Sequence, residues 1–104
     1  MDTEFTITGF EWDSGNQNKS MVKHHVSWLE CEQVFFNKPV YVLPDIKHSF
    51  KEERYYILGH TDSERLLFIS FTIRKNKIRV ISARDMSKKE RSFYNEKNKA
   101  DSEV

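Results

Sequence analysis

Apolar residues fall into two kinds of pattern along this chain, and the switch between them sets the fold class. Between residues 65 and 74, "RLLFISFTIR", almost every position is aliphatic, aromatic or β-branched, which predicts a long, well-buried strand. "KNK" (75–77) then makes a tight connection, and "IRVISAR" (78–84) supplies the partner strand of a hairpin. Upstream, "RYYILGH" (54–60) reads as another strand, followed by the turn cluster "TDSE" (61–64). "VYVL" (40–43) is a shorter candidate, ended by Pro44 and Asp45. Ahead of it the period changes. Trp28, Leu29, Cys31, Val34 and Phe35 recur close to helical spacing, behind a capping box of Ser27 and Glu30, and Asn37 and Pro39 close the helix. Residues 16–24 predict an earlier helix, with Met21 and Val22 as apolar contacts and Ser14 as its candidate cap. Ser87 and Glu90 form a second capping box, opening a last helix to about Lys97. Residues 1–8 read as an extension and 98–104 as a disordered tail. Helices and strands segregate: two N-terminal helices, an antiparallel β-meander of three to four strands, then a C-terminal helix. That is an α+β fold, in one domain over 1–104.

Length agrees, because 104 residues suffice for one core and not for two. Cys31 stands alone, so an intramolecular disulfide is impossible and a reducing cytoplasm is the expected compartment. The longest apolar runs, 66–69 and 40–43, are far short of the ~20 residues of a membrane span. The start "MDTEF" lacks the basic and apolar regions of a signal peptide.

Charge changes the picture more. The net charge of +1 hides an acidic first part and a basic second part. Residues 1–65 carry 7 Lys/Arg against 11 Asp/Glu, and residues 66–104 carry 10 against 5. Eight cations and two acids lie between Arg74 and Arg91, which suggests an anionic partner, although solvated hairpins and helices also carry such charge. Lys88 and Lys89 sit in the first turn of the last helix, where acids are normally preferred and where a phosphate would be welcome.

Several chemistries are excluded or disfavoured. Three scattered glycines make no phosphate-cradling loop, one cysteine makes no multi-cysteine zinc site, and no G-x-S-x-G motif is present. His24, His25, His48 and His60 lack metal-site spacing, so neither a metal nor a cofactor is expected. RNA cleavage needs none, since the ribose 2′-OH attacks its own phosphorus given a base, an acid and fixed cations. His48, Glu53, Tyr94 and the arginines can fill those roles. Each also has a plainer account: Glu53 as a surface partner of Arg54, His48 as a loop residue, Tyr94 as core packing with Phe93.

Four blocks, in order and correctly spaced, resemble the BrnT toxins of bacterial type II toxin–antitoxin pairs. They are "FEWD" (10–13), "KHHVSW" (23–28), "HSFKEERYYILG" (48–59) and "RLLFISFTIRKNKIRVISARDMSKKERSFY" (65–94), so the resemblance covers about residues 10–97. It implies a RelE-like α+β fold and an mRNA-cleaving endoribonuclease that arrests translation. It also implies neutralisation by a BrnA-type ribbon-helix-helix antitoxin, which makes most of the operator DNA contact in the joint complex. The residues assigned to catalysis are His48, Glu53, Arg54, Arg79, Arg84, Arg91 and Tyr94, and those assigned to RNA binding are Lys23, His24, Arg74, Lys75, Lys77, Lys88 and Lys89. This chain departs from the family at Asn16 and Ser20, where Lys and Asn are usual, and at His25 and Glu64, where Gly is usual. Two other functions stay open: an inactive or weak module of the same fold serving as antitoxin partner and corepressor, and an unrelated nucleic-acid adaptor. One geometric condition is attached. Arg79 and Arg84 are five residues apart and would point to opposite faces of a regular strand, so they share a site only if Arg84 passes the strand end or a bulge intervenes.

Overall fold

The computed structural model describes residues 7–102, with side chains described through residue 100. A five-stranded mixed sheet runs in the order β1-β5-β4-β3-β2, where β1 is Gly9–Phe10, β2 Tyr41–Pro44, β3 Arg54–His60, β4 Leu66–Arg74 and β5 Lys77–Asp85. The helices are α1 (Lys19–His24), α2 (Trp28–Phe36) and α3 (Lys88–Ser102). One sheet face packs Ile57, Leu67, Ile69, Phe71 and Val80 against Val26, Cys31 and Val34 of α2 and its approach. The opposite face packs Leu58 and Phe68 against Met86 and Tyr94, so α3 covers only one end of that face. Gly59 is required where α2 presses on β3, because a Cβ there would lie 2.8 Å from Val34 Cγ1.

The strongest patterns translate directly into structure. β3 spans residues 54–60 as expected from its Tyr and Ile content, and both capping boxes form, Ser27 with Glu30 and Ser87 with Glu90. Three expectations need correction. The sheet is not a purely antiparallel meander, because Gly9 and Phe10 add a parallel strand beside Lys77 and Ile78, too short to leave a sequence pattern. The first helix begins at Lys19, with Asn18 rather than Ser14 at its N-cap position; the chain before it turns on Asp13, whose carboxylate accepts the Gly15 N–H at 2.8 Å. Finally, α3 continues past Lys97 to Ser102, secured by the Tyr41 hydroxyl donating to Asn98 Oδ1 at 2.6 Å. Of the expected extension (1–8) residues 1–6, and of the expected disordered tail (98–104) residues 103–104, lie outside the described residues, while 98–102 are helical.

The edge of β5 explains two departures from the family pattern. β1 covers only the start of that edge, leaving later backbone groups in need of partners. Asn16 is buried and donates to both Val80 O and Glu11 O at 3.0 Å, while Ser20 Oγ accepts the Ala83 N–H at 2.8 Å. Asn16 and Ser20 are therefore stitching that ties the N-terminal segment to the sheet edge.

The other two departures carry a conformational cost. His25 and Glu64, at usual glycine positions, adopt φ of 56° and 66°. Side chains crowd that region by roughly 1 kcal/mol relative to glycine. The exposed His25 side chain has no described bond to offset the cost, and its backbone N–H closes α1 onto Met21 O. His25→Gly is therefore expected to raise stability by about 0.5–1 kcal/mol, seen as a melting temperature a few degrees higher. A lower melting temperature would contradict the strain argument. Lys75 and Asn76 also take positive φ (50° and 66°), as a two-residue hairpin with the right twist requires.

Candidate active site

Directly paired residues share a face, so the register maps the site. The face partly covered by α3 presents Arg54, Tyr56, Leu58 and His60 from β3, with Phe68, Ser70, Thr72 and Arg74 from β4. On β5, Ser70 pairs with Ser82 and Phe71 with Val80, which leaves Ile81 bulged out of register. The bulge restores parity: Arg79 opposite Thr72 and Arg84 opposite Phe68 lie on that same face. The condition set by the five-residue spacing is met.

Sharing a face does not make the arginines equivalent. Arg79 donates to Glu11 at 3.0 Å and to both oxygens of Asp13 at 2.9 and 3.1 Å, so two carboxylates already neutralise it. The bond from Arg79 holds the Asp13 carboxyl below its ordinary range. Arg84 forms a fork with Glu90 at 2.8 and 3.0 Å and lies 4.2 Å from the Phe68 ring centroid, bracing α3 against the sheet. Burial pushes the Glu90 carboxyl up, but Arg84 and the Ser87 N–H outweigh it and keep it ionised. Arg74 is bidentate to Glu52, both contacts at 3.1 Å. Arg74 and Arg79 reach their acids across the chain, which a count of nearby charges along the sequence cannot register, whereas Arg84 takes an acid only six residues on. Arg54 has no carboxylate within ion-pair distance among the described residues, and exposed Arg91 bonds only Met86 O at 3.4 Å.

The titratable candidates divide as sharply. His48 ends a 3-10 turn (Ile46–His48), its side chain 59% exposed, with Nδ1 2.9 Å from Asp45. It lines a depression of about 340 Å³ together with Phe50, Lys51, Glu52 and Arg54. Glu53, in contrast, is removed from the arginine face. Its carboxylate accepts the Tyr55 hydroxyl at 2.8 Å, and Tyr55 stacks on Phe71 of the opposite face. Glu52, which the sequence reading passed over, occupies the expected place; Arg74 holds it below the ordinary carboxylate range, so it stands as an anion. Alternation carried back from Arg54 was the available signal. Tyr94 stands apart from that depression. It is 2% exposed, donates to Pro39 O at 2.6 Å and meets His60 Nδ1 at 3.0 Å, and burial pushes its phenol up. That is core packing, though against Leu58, Met86 and Tyr41 rather than the expected Phe93. With its one proton given to Pro39, Tyr94 must accept from a protonated His60 Nδ1. Tyr56 instead lies on the arginine face, its hydroxyl without a described partner.

The remaining cations are spread out. Lys75 and Lys77 mark the β4–β5 hairpin, Lys88 and Lys89 the first turn of α3, and Lys23 and His24 the end of α1, all exposed. Cys31 offers no nucleophile, since burial pushes its thiol up to about 12. Among the described residues no three His, Cys, Asp or Glu side chains are placed to hold a metal ion, and no helix is long and apolar enough to cross a membrane.

Fold and face together define a small α+β protein with a cationic, partly open sheet surface beside a His–Asp pair. A family model described as "Ribonuclease toxin, BrnT, of type II toxin-antitoxin system" matches residues 12–90, and the chain belongs to that family. It is thus a ribonuclease toxin of a type II toxin–antitoxin system by family, as the four sequence blocks imply. No curated protein matches the chain. The matched span includes His48, Arg54, Arg79 and Arg84, while Arg91 and Tyr94 fall just beyond it.

Proposed function

We propose that this chain is a metal-independent endoribonuclease that cleaves mRNA in the cytoplasm and thereby arrests translation. The observation that carries the reading is the juxtaposition of His48, held through Nδ1 by Asp45, with Arg54 around one open depression. With Nδ1–H donated to Asp45, Nε2 carries the lone pair and can act as a base. Arg54 binds the scissile phosphate, and His48 Nε2 takes the proton of the neighbouring ribose 2′-OH. The 2′-oxygen attacks phosphorus, the bond to the 5′-oxygen breaks, and that oxygen takes a proton from solvent. A 2′,3′-cyclic phosphate remains. Arg54 stabilises the charge that develops on the non-bridging oxygens. A BrnA-type ribbon-helix-helix antitoxin neutralises the toxin and carries the operator DNA contacts of the complex.

The engaged state of Arg74, Arg79 and Arg84 favours a second reading, a weakly active module that serves chiefly as antitoxin partner and corepressor. Expression without antitoxin separates the two. The ribonuclease reading expects growth arrest, shortened transcripts, and cyclic-phosphate ends when purified protein meets RNA in EDTA. Normal growth at confirmed expression, with intact RNA in vitro, would leave only the binding module.

A further inference from the structure

A cleft of about 370 Å³ opens where α3 leaves the sheet, within the range of small-ligand sites. Its lining includes Tyr56, Leu58 and Phe68 from the sheet and Phe93 from α3, with Lys89 at the rim. Resting on the reading that this chain acts on RNA, we propose that the cleft is a nucleobase subsite, in which one base of the substrate strand stacks beside the bound phosphate.

Three observations favour a base. The first is flatness: Phe68 and Tyr56 stack at 5.1 Å with 26° between their planes, and Arg84 stands over Phe68 at 4.2 Å. The strand order β5-β4-β3-β2 brings Arg84 and Tyr56 to Phe68 from opposite sides, with Leu43 of β2 beside Tyr56 closing the row and the cleft opening above these rings. Phe93 faces the same space while 44% exposed, with no ring stacked on it among the described residues, so its face is open to the cleft. Aromatic faces of this kind bind bases of any sequence. The second is charge. Lys89 lines the cleft with no carboxylate within ion-pair distance among the described residues, and the acid in the lining, Glu90, is already engaged by Arg84 at 2.8 Å. The third is spacing. Tyr56 lies two residues beyond Arg54 on the same strand face, about 6.6 Å along the strand, comparable with the reach from a phosphate to its own base.

The test uses short 2′-O-methyl RNA, which cannot undergo the proposed cleavage, in base-bearing and abasic forms, with affinity read by fluorescence anisotropy across a salt series. The wild-type protein is expected to bind the base-bearing oligomer at least tenfold more tightly. Tyr56→Leu and Phe93→Leu keep apolar volume, and each should reduce that advantage about fivefold or more without changing the salt slope, because phosphate contacts remain. A 2-aminopurine placed in the oligomer should be quenched by the wild type and less by either variant. Equal wild-type affinity for both oligomers, or unchanged affinity in the folded Phe93→Leu protein, overturns the subsite while leaving cleavage intact. Variants that keep RNA affinity but lose antitoxin would make the cleft a protein-docking groove and also overturn it. Failure of the wild type to bind either oligomer, even at low salt, removes the ribonuclease reading and the subsite together.

Discussion

Arg65→Ala is expected to destabilise the fold by about 2–4 kcal/mol, the largest effect of any single arginine, although Arg65 takes no part in the proposed chemistry. Its guanidinium forks onto Asp85 at 2.8 and 3.1 Å, donates to His25 O at 2.8 Å and His24 O at 3.2 Å, and reaches Glu30 at 3.2 Å. One side chain therefore joins the end of β5, the exposed carbonyls closing α1, and the capping box of α2. The ion pairs alone would count for little, because Asp85 is 62% exposed and water screens them. The carbonyl contacts weigh more. They satisfy helix-end acceptors with charged donors, worth roughly 1.5–3 kcal/mol each before resolvation is deducted. A domain of this size holds only about 5–15 kcal/mol in total, so the melting temperature should fall by roughly 10–20 °C. Arg65→Lys should recover little, because an ammonium cannot span four acceptors in a plane. A loss below about 3 °C in Arg65→Ala would show that the knot is redundant.

Arg65 also shows what could be read from the chain and what could not. The strands, both capping boxes and the hairpin follow from local signals, since alternation, cap spacing and turn residues act over a few positions. The site depended on pairings that span the chain. Arg79 finds Glu11 and Asp13 68 and 66 positions away, so its use as a strut for the N-terminal loop leaves no local trace. Parity failed once and succeeded once. A bulge at Ile81 placed Arg84 with Arg79, while simple alternation before Arg54 separated Glu52 from Glu53. The place of Tyr94 was illegible for a different reason: its amphipathic ring suits a core with a polar partner as well as a cleft, and Pro39 O supplies that partner.

Such neutralised arginines make demands on any mechanism. An RNA phosphate approaching Arg74 or Arg79 must compete with carboxylates already in place, whereas Arg54 offers its charge without displacement. Steering by the exposed lysines and binding at Arg54 can then be separate events. Phosphate affinity should depend on many cations, and the rate of cleavage on few.

His48→Ala is accordingly expected to lower kcat/KM for RNA cleavage by about 10²–10⁴-fold, the range for loss of a positioned general base. Stability should change by no more than about 0.5 kcal/mol, because the His48 side chain is 59% exposed and its one described side-chain partner is Asp45. Asp45→Asn should cost less, roughly tenfold, since an amide can still meet Nδ1 but no longer fixes the tautomer by charge. Arg54→Ala should cost about 10²–10³-fold, the scale of losing one preorganised donor to a developing oxyanion. Glu53→Gln is the control on the opposite face and should cleave at the wild-type rate. Each value can be read with a fluorescence-quenched oligoribonucleotide under single-turnover conditions, alongside a thermal melt. Wild-type kcat/KM in His48→Ala would remove the imidazole from the mechanism. A large loss in Glu53→Gln would return the catalytic base to the carboxylate bonded by Tyr55, and the depression around Arg54 would then bind phosphate without performing the chemistry.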